Sequence, residues 1–269
     1  MNRTDLAHEI ASESGLTLEE SIIKGIEITR VVINEQASLK TGKPAGTYIT
    51  LSCFETNRDK ETETAVLSHI IVKMLSDIHK KSSYSILVTG LGNDNITPDS
   101  LGVRTVEKVL ATAHFTGQQE FSELNLRPVY VIEPGVMAQT GLESAEQLKF
   151  IADGIKPDFL IVIDSLACNE RQRLAQTIQI TDTGISPGSG VKNERKEFSK
   201  GVFGVPVIAI GVPTVIDLSF ESNADKGSFM LVPRDIDLII THFASVISGA
   251  LNRALNPSLD ESEIETLLK

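Results

Sequence analysis

A chain of 269 residues with 25 Lys+Arg against 36 Asp+Glu carries a formal net charge of −11. That excludes a surface built for nucleic acid or an anionic membrane, since both require clustered positive charge to displace counterions. Hydrophobic residues make up 41%, enough to offset chain entropy in a packed core, so the chain is a folded globular protein of one large or two small domains.

In chain order, the first pattern is the alternation of Val31, Ile33 and their neighbours with polar residues in Glu27–Glu35, a half-buried strand whose partner is Thr47–Leu51. Lys40-Thr41-Gly42-Lys43-Pro44-Ala45-Gly46 between them has turn chemistry, so an N-terminal β-hairpin is expected. A helix follows from about Glu61 to Lys80, with Val66, Ile70, Met74 and Ile78 on one face. Tyr84–Thr89 is apolar enough to be a strand buried on both faces. Thr97-Pro98-Asp99 should open the next helix, with Thr97 as cap, Pro98 in the first turn and Asp99 at the positive end of the dipole. Pro128–Ile132, the helix Ser144–Ile155 and Phe159–Ile163 repeat the cycle. A short strand, Thr177–Ile180, leads into the polar loop Thr183–Gly204; Pro206–Ile210 is a buried strand and Arg234–Leu255 a closing helix. Strands alternating with helices imply an α/β fold with a mainly parallel twisted sheet and helices on both faces.

Two cysteines, Cys53 and Cys168, cannot build a disulfide framework or a Cys-based zinc site, which fits a reducing compartment. No apolar run follows Met1-Asn2-Arg3-Thr4-Asp5, and the longest uncharged run, Gly201–Ile216, is shorter than the ~18–20 residues that span a bilayer and is broken by Pro206 and Pro213. The expectation is a cytoplasmic protein with no membrane or nucleic-acid partner.

Gly90-Leu91-Gly92 after a strand suggests a dinucleotide turn, but G-x-G-x-x-G would need Gly where Asn95 stands. Gly42-Lys43 lacks the other residues of a P-loop, and His8-Glu9-Ile10-Ala11-Ser12 has Ser12 in place of the second zinc ligand of H-E-x-x-H. Gly184-Ile185-Ser186-Pro187-Gly188 matches G-x-S-x-G and His242 follows in hydrolase order, yet the chain continues as loop where a nucleophile elbow must enter a helix. Cys53 in a strand reads as core, and neither cysteine has a convincing His partner.

Carboxylates remain. Reacting groups in open α/β sheets gather beyond the carboxyl ends of strands. Asp164 directly follows Phe159–Ile163, and Asp99 lies past the end of Tyr84–Thr89. If those strands are neighbours, the two carboxylates converge; two close carboxylates cannot both ionise easily, so one serves as acid and the other as base for water. The alternatives are that Asp99 complements a helix dipole and Asp164 caps a turn, or that the pair holds a hard metal ion.

Several separated blocks carry a more specific signal. Arg3-Thr4-Asp5-Leu6-Ala7, Gly42–Tyr48, Gly90-Leu91-Gly92-Asn93, Thr97–Gly102, Pro134-Gly135-Val136-Met137, Ile163–Ala167, Pro187-Gly188-Ser189-Gly190 and Pro206–Val215 resemble, in order, the germination proteases, spore endopeptidases that degrade small acid-soluble spore proteins. The resemblance implies an atypical aspartic-type endopeptidase without cofactor, made as a zymogen and assembled as a homotetramer, with catalytic aspartates at Asp99 and Asp164 and cleavage after an acidic residue that is followed by a hydrophobic residue and then Ala. It places self-processing at Asp5-Leu6, while Glu9-Ile10-Ala11-Ser12-Glu13 resembles the substrate site itself. Residues 1–15 are thus expected to form a short pro-segment and 16–269 a single peptidase domain. Charge logic names Arg104, Arg195 and Lys196 as readers of the substrate carboxylate. The family usually has His where Ser186 stands. Gly90–Arg104 also looks like the hydrogenase maturation endopeptidases, which leaves a metal-dependent peptidase as one alternative and a non-catalytic binding module as another.

Overall fold

The computed structural model describes residues 4–14, 16, 18–52, 59–78, 84–187, 196–221 and 226–268. The first half contains helix α1 (Ala7–Ser14), strands β1 (Leu18–Ile23) and β2 (Ile26–Ile33), helix α2 (Glu35–Thr41), strand β3 (Gly46–Ser52), helix α3 (Lys60–Ile78) and strand β4 (Ile86–Gly90). A 3₁₀ turn (Thr97–Asp99) precedes helices α4 (Leu101–Val106) and α5 (Gln119–Glu123), strand β5 (Val129–Ile132) and helices α6 (Met137–Thr140) and α7 (Ser144–Ile155). The rest holds β6 (Phe159–Cys168), β7 (Thr177–Thr181), α8 (Lys200–Phe203), β8 (Val207–Glu221), β9 (Lys226–Leu231), α9 (Ile236–Leu255) and α10 (Glu261–Leu267).

These strands form one sheet in the order β1-β2-β3-β7-β8-β6-β4-β5, with β9 paired to β8. The expected α/β class is right, but the sheet is mixed rather than mainly parallel. Only β8-β6-β4-β5 run parallel, while β1-β2-β3-β7 and the β7–β8 and β8–β9 pairs are antiparallel. The reason lies in the connections. A parallel return needs a crossover of about a dozen residues, and the link from Cys168 to Thr177 is too short for one, so β7 comes back in the opposite sense.

The N-terminal hairpin forms in the register Val31↔Tyr48. Its connection is not a simple turn, because Asn34 accepts from the Ala37 N–H and nucleates α2, which Gly42 closes at φ 71°. Cys53 falls outside the described residues.

Alternate residues of the central strands build two cores. Ile161, Ile163, Ile178, Ile180, Ile208 and Ile210 face α3, α4 and α9, whereas Leu160 and Val162 face α7 and α8. Helix α9 is long and apolar enough to cross a membrane, but 61% of that stretch is buried in the protein, where it packs on α3 and α4. The period-3.6 face read from the sequence is the buried one: Val66, Ile70 and Met74 point into the first core and Ile78 packs at its margin.

Candidate active site

Strand β6 continues past Ile163, where the apolar pattern alone would end it, because β8 runs beside it in the pairs Asp164↔Gly211 and Ser165↔Val212. Asp164 therefore lies within a strand, not after one. Its neighbour β4 stops at Gly90, opposite Ile163, which makes Asp164 the first residue of β6 beyond the carboxyl end of β4. It is 5% exposed, and its Oδ1 accepts the Ser165 N–H at 2.9 Å.

The chain leaving β4 bends so that Asp99 returns to the same edge. The Leu91 N–H donates to Ile163 O at 2.8 Å, and the Asn93 N–H to Asp99 O at 3.0 Å. Thr214 Oγ1 donates to Pro98 O at 2.7 Å, fastening the 3₁₀ turn to β8. Glycines permit this approach: a Cβ on Gly92, whose φ is +115°, would sit 1.8 Å from Asp99 O, and one on Gly102 would sit 2.3 Å from Leu91 O. The glycines that fail as a dinucleotide motif thus serve to press the turn and α4 onto the strand ends. Thr97 does not cap α4. Its carbonyl accepts Ser100 N–H and Oγ, and Ser100 occupies the cap position.

Asp164, Gly211 and Gln179 form a row across β6, β8 and β7. All three lie opposite the first core, since Ile163, Ile210, Val212, Ile178 and Ile180 face it. With strands spaced about 4.8 Å apart, Asp164 and Gln179 stand about 10 Å apart on one face with a glycine between them.

Across that face lies the N-terminal segment. Asp5 joins the end of β6: its N–H donates to Ala167 O at 2.9 Å, and its Oδ2 accepts the Ala167 N–H at 2.8 Å. The Asp5 carbonyl oxygen accepts from Lys43 Nζ at 3.1 Å and Gln179 Nε2 at 3.0 Å, while Gln179 Oε1 accepts the Ala7 N–H at 2.8 Å. Leu6 is fully buried against Leu166, Cys168 and Ile216, with Leu174 and Ile185 at the edge. Glu9, 6% exposed, accepts the backbone N–H groups of Asn169 and Glu170 at 3.0 Å. Burial holds the Lys43 ammonium below the usual lysine range, with Asp5 and Glu9 opposing. The Cys168 thiol is pushed up to about 12, by burial first and then by Glu9, Glu170 and Asp5.

His8 Nε2 meets Arg173 Nη2 at 3.1 Å. A guanidinium only donates, so Nε2 accepts and the imidazole is neutral; burial and Arg173 lower its pKa. Ile10 follows on α1, half-buried.

Of the expected carboxylate readers, Arg104 pairs with Asp94 at 3.1 Å in the loop leaving β4. Lys196 pairs with Glu146 and lines a shallow hollow with Leu91, Ser144, Pro187 and Phe198. Arg195 lies outside the described residues, as do Gly188–Gly190. The acid of the docked segment is held instead by backbone, with Lys43 and Gln179 on its carbonyl, groups the sequence reading did not assign to a site. Ser186 is exposed beside an isolated bridge, Ile185↔Phe198, with no strand-to-helix elbow. His242 sits on the other side of the sheet, with Nε2 2.6 Å from buried Glu63, so no serine triad forms. Among the described residues, no three His, Cys, Asp or Glu side chains cluster as a metal site.

The fold and site define an α/β protein with a mixed sheet, two acids at one strand edge and the N-terminal segment lying on the same face. Comparison with known proteins makes this specific. The family profile described as "Germination protease" matches residues 2–226. The germination protease of Caldanaerobacter subterraneus subsp. tengcongensis is 37% identical over 99% of this chain and 98% of its own length, and that of Clostridium tetani is 37% identical over 99% of each. The Bacillus cytotoxicus protein is 43% identical over 90% of this chain and 67% of its own length. The chain belongs to the germination protease family and is thus a protease of spore germination.

Proposed function

We propose that this protease is an endopeptidase that initiates degradation of small acid-soluble spore proteins, hydrolysing the bond after Glu or Asp with a water activated between Asp99 and Asp164. One carboxylate, ionised, takes a proton from water as it attacks the scissile carbonyl; the other, protonated, gives its proton to the departing amine. What supports the reading is that the turn bearing Asp99 and the strand residue Asp164 both lie by the carboxyl end of β4, within a chain of this family. No further group is required, because an acid and a base suffice for attack by water on an amide.

On this reading, residues 1–15 act as a short pro-segment of a zymogen, cleaved at Asp5-Leu6 or Glu9-Ile10, and residues 16–269 act as the peptidase domain. The working protein is a homotetramer in the cytoplasm of the spore, and Arg104, Arg195 and Lys196 steer acidic stretches of substrate toward the cleft. The test is to incubate the purified protein with a small acid-soluble spore protein and map the new N-termini by mass spectrometry. Fragments beginning immediately after Glu or Asp are expected. No cleavage after prolonged incubation at either full or trimmed length, or cuts after basic residues, would end the reading.

A further inference from the structure

Strand β8 does more for the acidic edge than lie beside β6. Its residues Gly211 and Val212 stand opposite Asp164 and Ser165, and then the register slips: Leu166 faces Pro213, but Ala167 faces Val215. Thr214 is the extra residue of a β-bulge. Pro213 has no N–H to give the ladder, which suits a bulge, and its carbonyl accepts the Ala175 N–H at 2.8 Å from the link between β6 and β7. Ala175 makes that bond at φ +58°, a left-handed conformation that a residue with a Cβ adopts only at a cost.

A bulge re-aims the side chain it carries. Thr214, 1% exposed, donates its hydroxyl to the Pro98 carbonyl oxygen at 2.7 Å, across 116 residues of chain. That carbonyl shares a peptide group with the Asp99 N–H, which donates to Ile96 O at 2.7 Å. The bonds from Ile96 N–H to Asn93 O, Asn93 N–H to Asp99 O and Ser100 N–H to Thr97 O run within residues 93–100. They set the shape of the turn, not where it stands on the sheet. Residues 211–214 of β8 are thus bonded both to the strand of Asp164 and to the turn of Asp99.

We propose that Thr214 is a positioning residue for the hydrolysis: its hydroxyl, aimed by the bulge, holds the Pro98–Asp99 peptide so that the Asp99 carboxylate keeps its station relative to Asp164. The inference rests on the reading of that pair as the activators of water, and adds to it a residue that sets their spacing. Without the hydroxyl, the Pro98 carbonyl loses this donor and the turn drifts from β8. Two carboxylates that share a site push each other's pKa values apart, so drift brings the two values back together. A merely structural residue would lower stability and leave that separation alone.

The test is steady-state cleavage of a small acid-soluble spore protein by Thr214→Val, which replaces the hydroxyl with a methyl of the same shape, and by Thr214→Ser, which keeps the donor. Thr214→Val is expected to lose about tenfold or more in kcat per folded molecule, with KM within about twofold and a bell-shaped pH profile of kcat that narrows from both sides. Thr214→Ser should return kcat to within about threefold of the unsubstituted protein and restore the width of the profile. In an Asp99→Asn background, where no second carboxylate remains to be placed, Thr214→Val should cost less than about twofold more.

Thr214→Val cleaving at the unsubstituted rate would overturn the inference, as would a rate loss with an unchanged profile or without rescue by Thr214→Ser. Where Thr214→Val does not fold, Thr214→Ser and Thr214→Cys, alike in shape but unlike as donors, carry the comparison, and equal kcat in those two would overturn it as well. The two failures are distinguishable. Full cleavage by Asp99→Asn would end the paired-carboxylate reading and this inference with it, whereas an inactive Asp99→Asn alongside a fully active Thr214→Val would end the inference alone.

Discussion

Gly92→Ala puts the position of Asp99 to the test. Gly92 has φ +115°, a region that costs an L-residue about 1–3 kcal/mol, and its added methyl would lie 1.8 Å from the Asp99 carbonyl oxygen. A carbon and an oxygen not bonded to each other need about 3.3 Å, so the turn bearing Asp99 must retreat by roughly 1.5 Å. Displacements of about 1 Å at a reacting group cost on the order of a hundredfold in rate. The expected result is a fall in kcat of about a hundredfold or more, with a melting temperature lowered by the few degrees that the backbone strain implies. Gly117→Ala is the control, since it also has a positive φ, +93°, but no atom lies within 4 Å of its added methyl. It should show the stability loss without the rate loss. If Gly92→Ala cleaves substrate as fast as the unsubstituted protein while Gly117→Ala melts similarly, Asp99 does not act from the position described.

Three further outcomes follow from the same geometry. In a Cys53→Ser background, the Cys168 thiol, with a pKa of about 12, is about one part in ten thousand thiolate at pH 8. It should resist alkylation, and Leu6→Ala, which uncovers it, should speed labelling at least tenfold; equal rates would mean that Leu6 does not shield it. His8 is neutral when docked and its pKa is lowered, so the free segment binds the proton more readily. Docking is therefore complete above about pH 6.5 and weakens as pH falls through that value toward the lowered one. Exchange at residues 5–9, corrected for intrinsic rates, should accelerate between pH 7.5 and 5.5, and His8→Gln should flatten that dependence. His242→Asn, which unpairs buried Glu63, should destabilise the fold by about 1–3 kcal/mol in denaturant titration yet leave kcat per folded molecule unchanged; a lost kcat would revive a catalytic role for His242.

The sequence speaks clearly where burial is uniform. Strands β4, β5, β6 and β8 and helix α7 stand out because both faces of a parallel sheet select apolar runs and an amphipathic helix shows its own period. The antiparallel half is harder to see. Strand β1 is exposed at nearly every position, and the direction of β7 is decided by the length of the link before it, not by its side chains. Asp99 and Asp164 stand out in the sequence as carboxylates near the ends of apolar runs, but Asp164 lies inside β6, which continues to Cys168 because it pairs with β8. The seat of the N-terminal segment was hidden for a different reason. Its donors to Asp5 and Glu9 are backbone N–H groups of Ala167, Asn169 and Glu170, which any residue could supply, and Lys43 carries no signature apart from the Asp5 carbonyl that it meets across the fold.

The central claim, that Asp99 and Asp164 activate the attacking water together, is tested most directly by steady-state cleavage of a small acid-soluble spore protein by Asp99→Asn and Asp164→Asn. Each should lose on the order of 10²–10⁴-fold in kcat, with little change in KM and a circular dichroism spectrum like that of the unsubstituted protein. The double variant should be no slower than the worse single one, because the two groups act in one step. Either single variant cleaving within a few-fold of the unsubstituted rate would contradict the account.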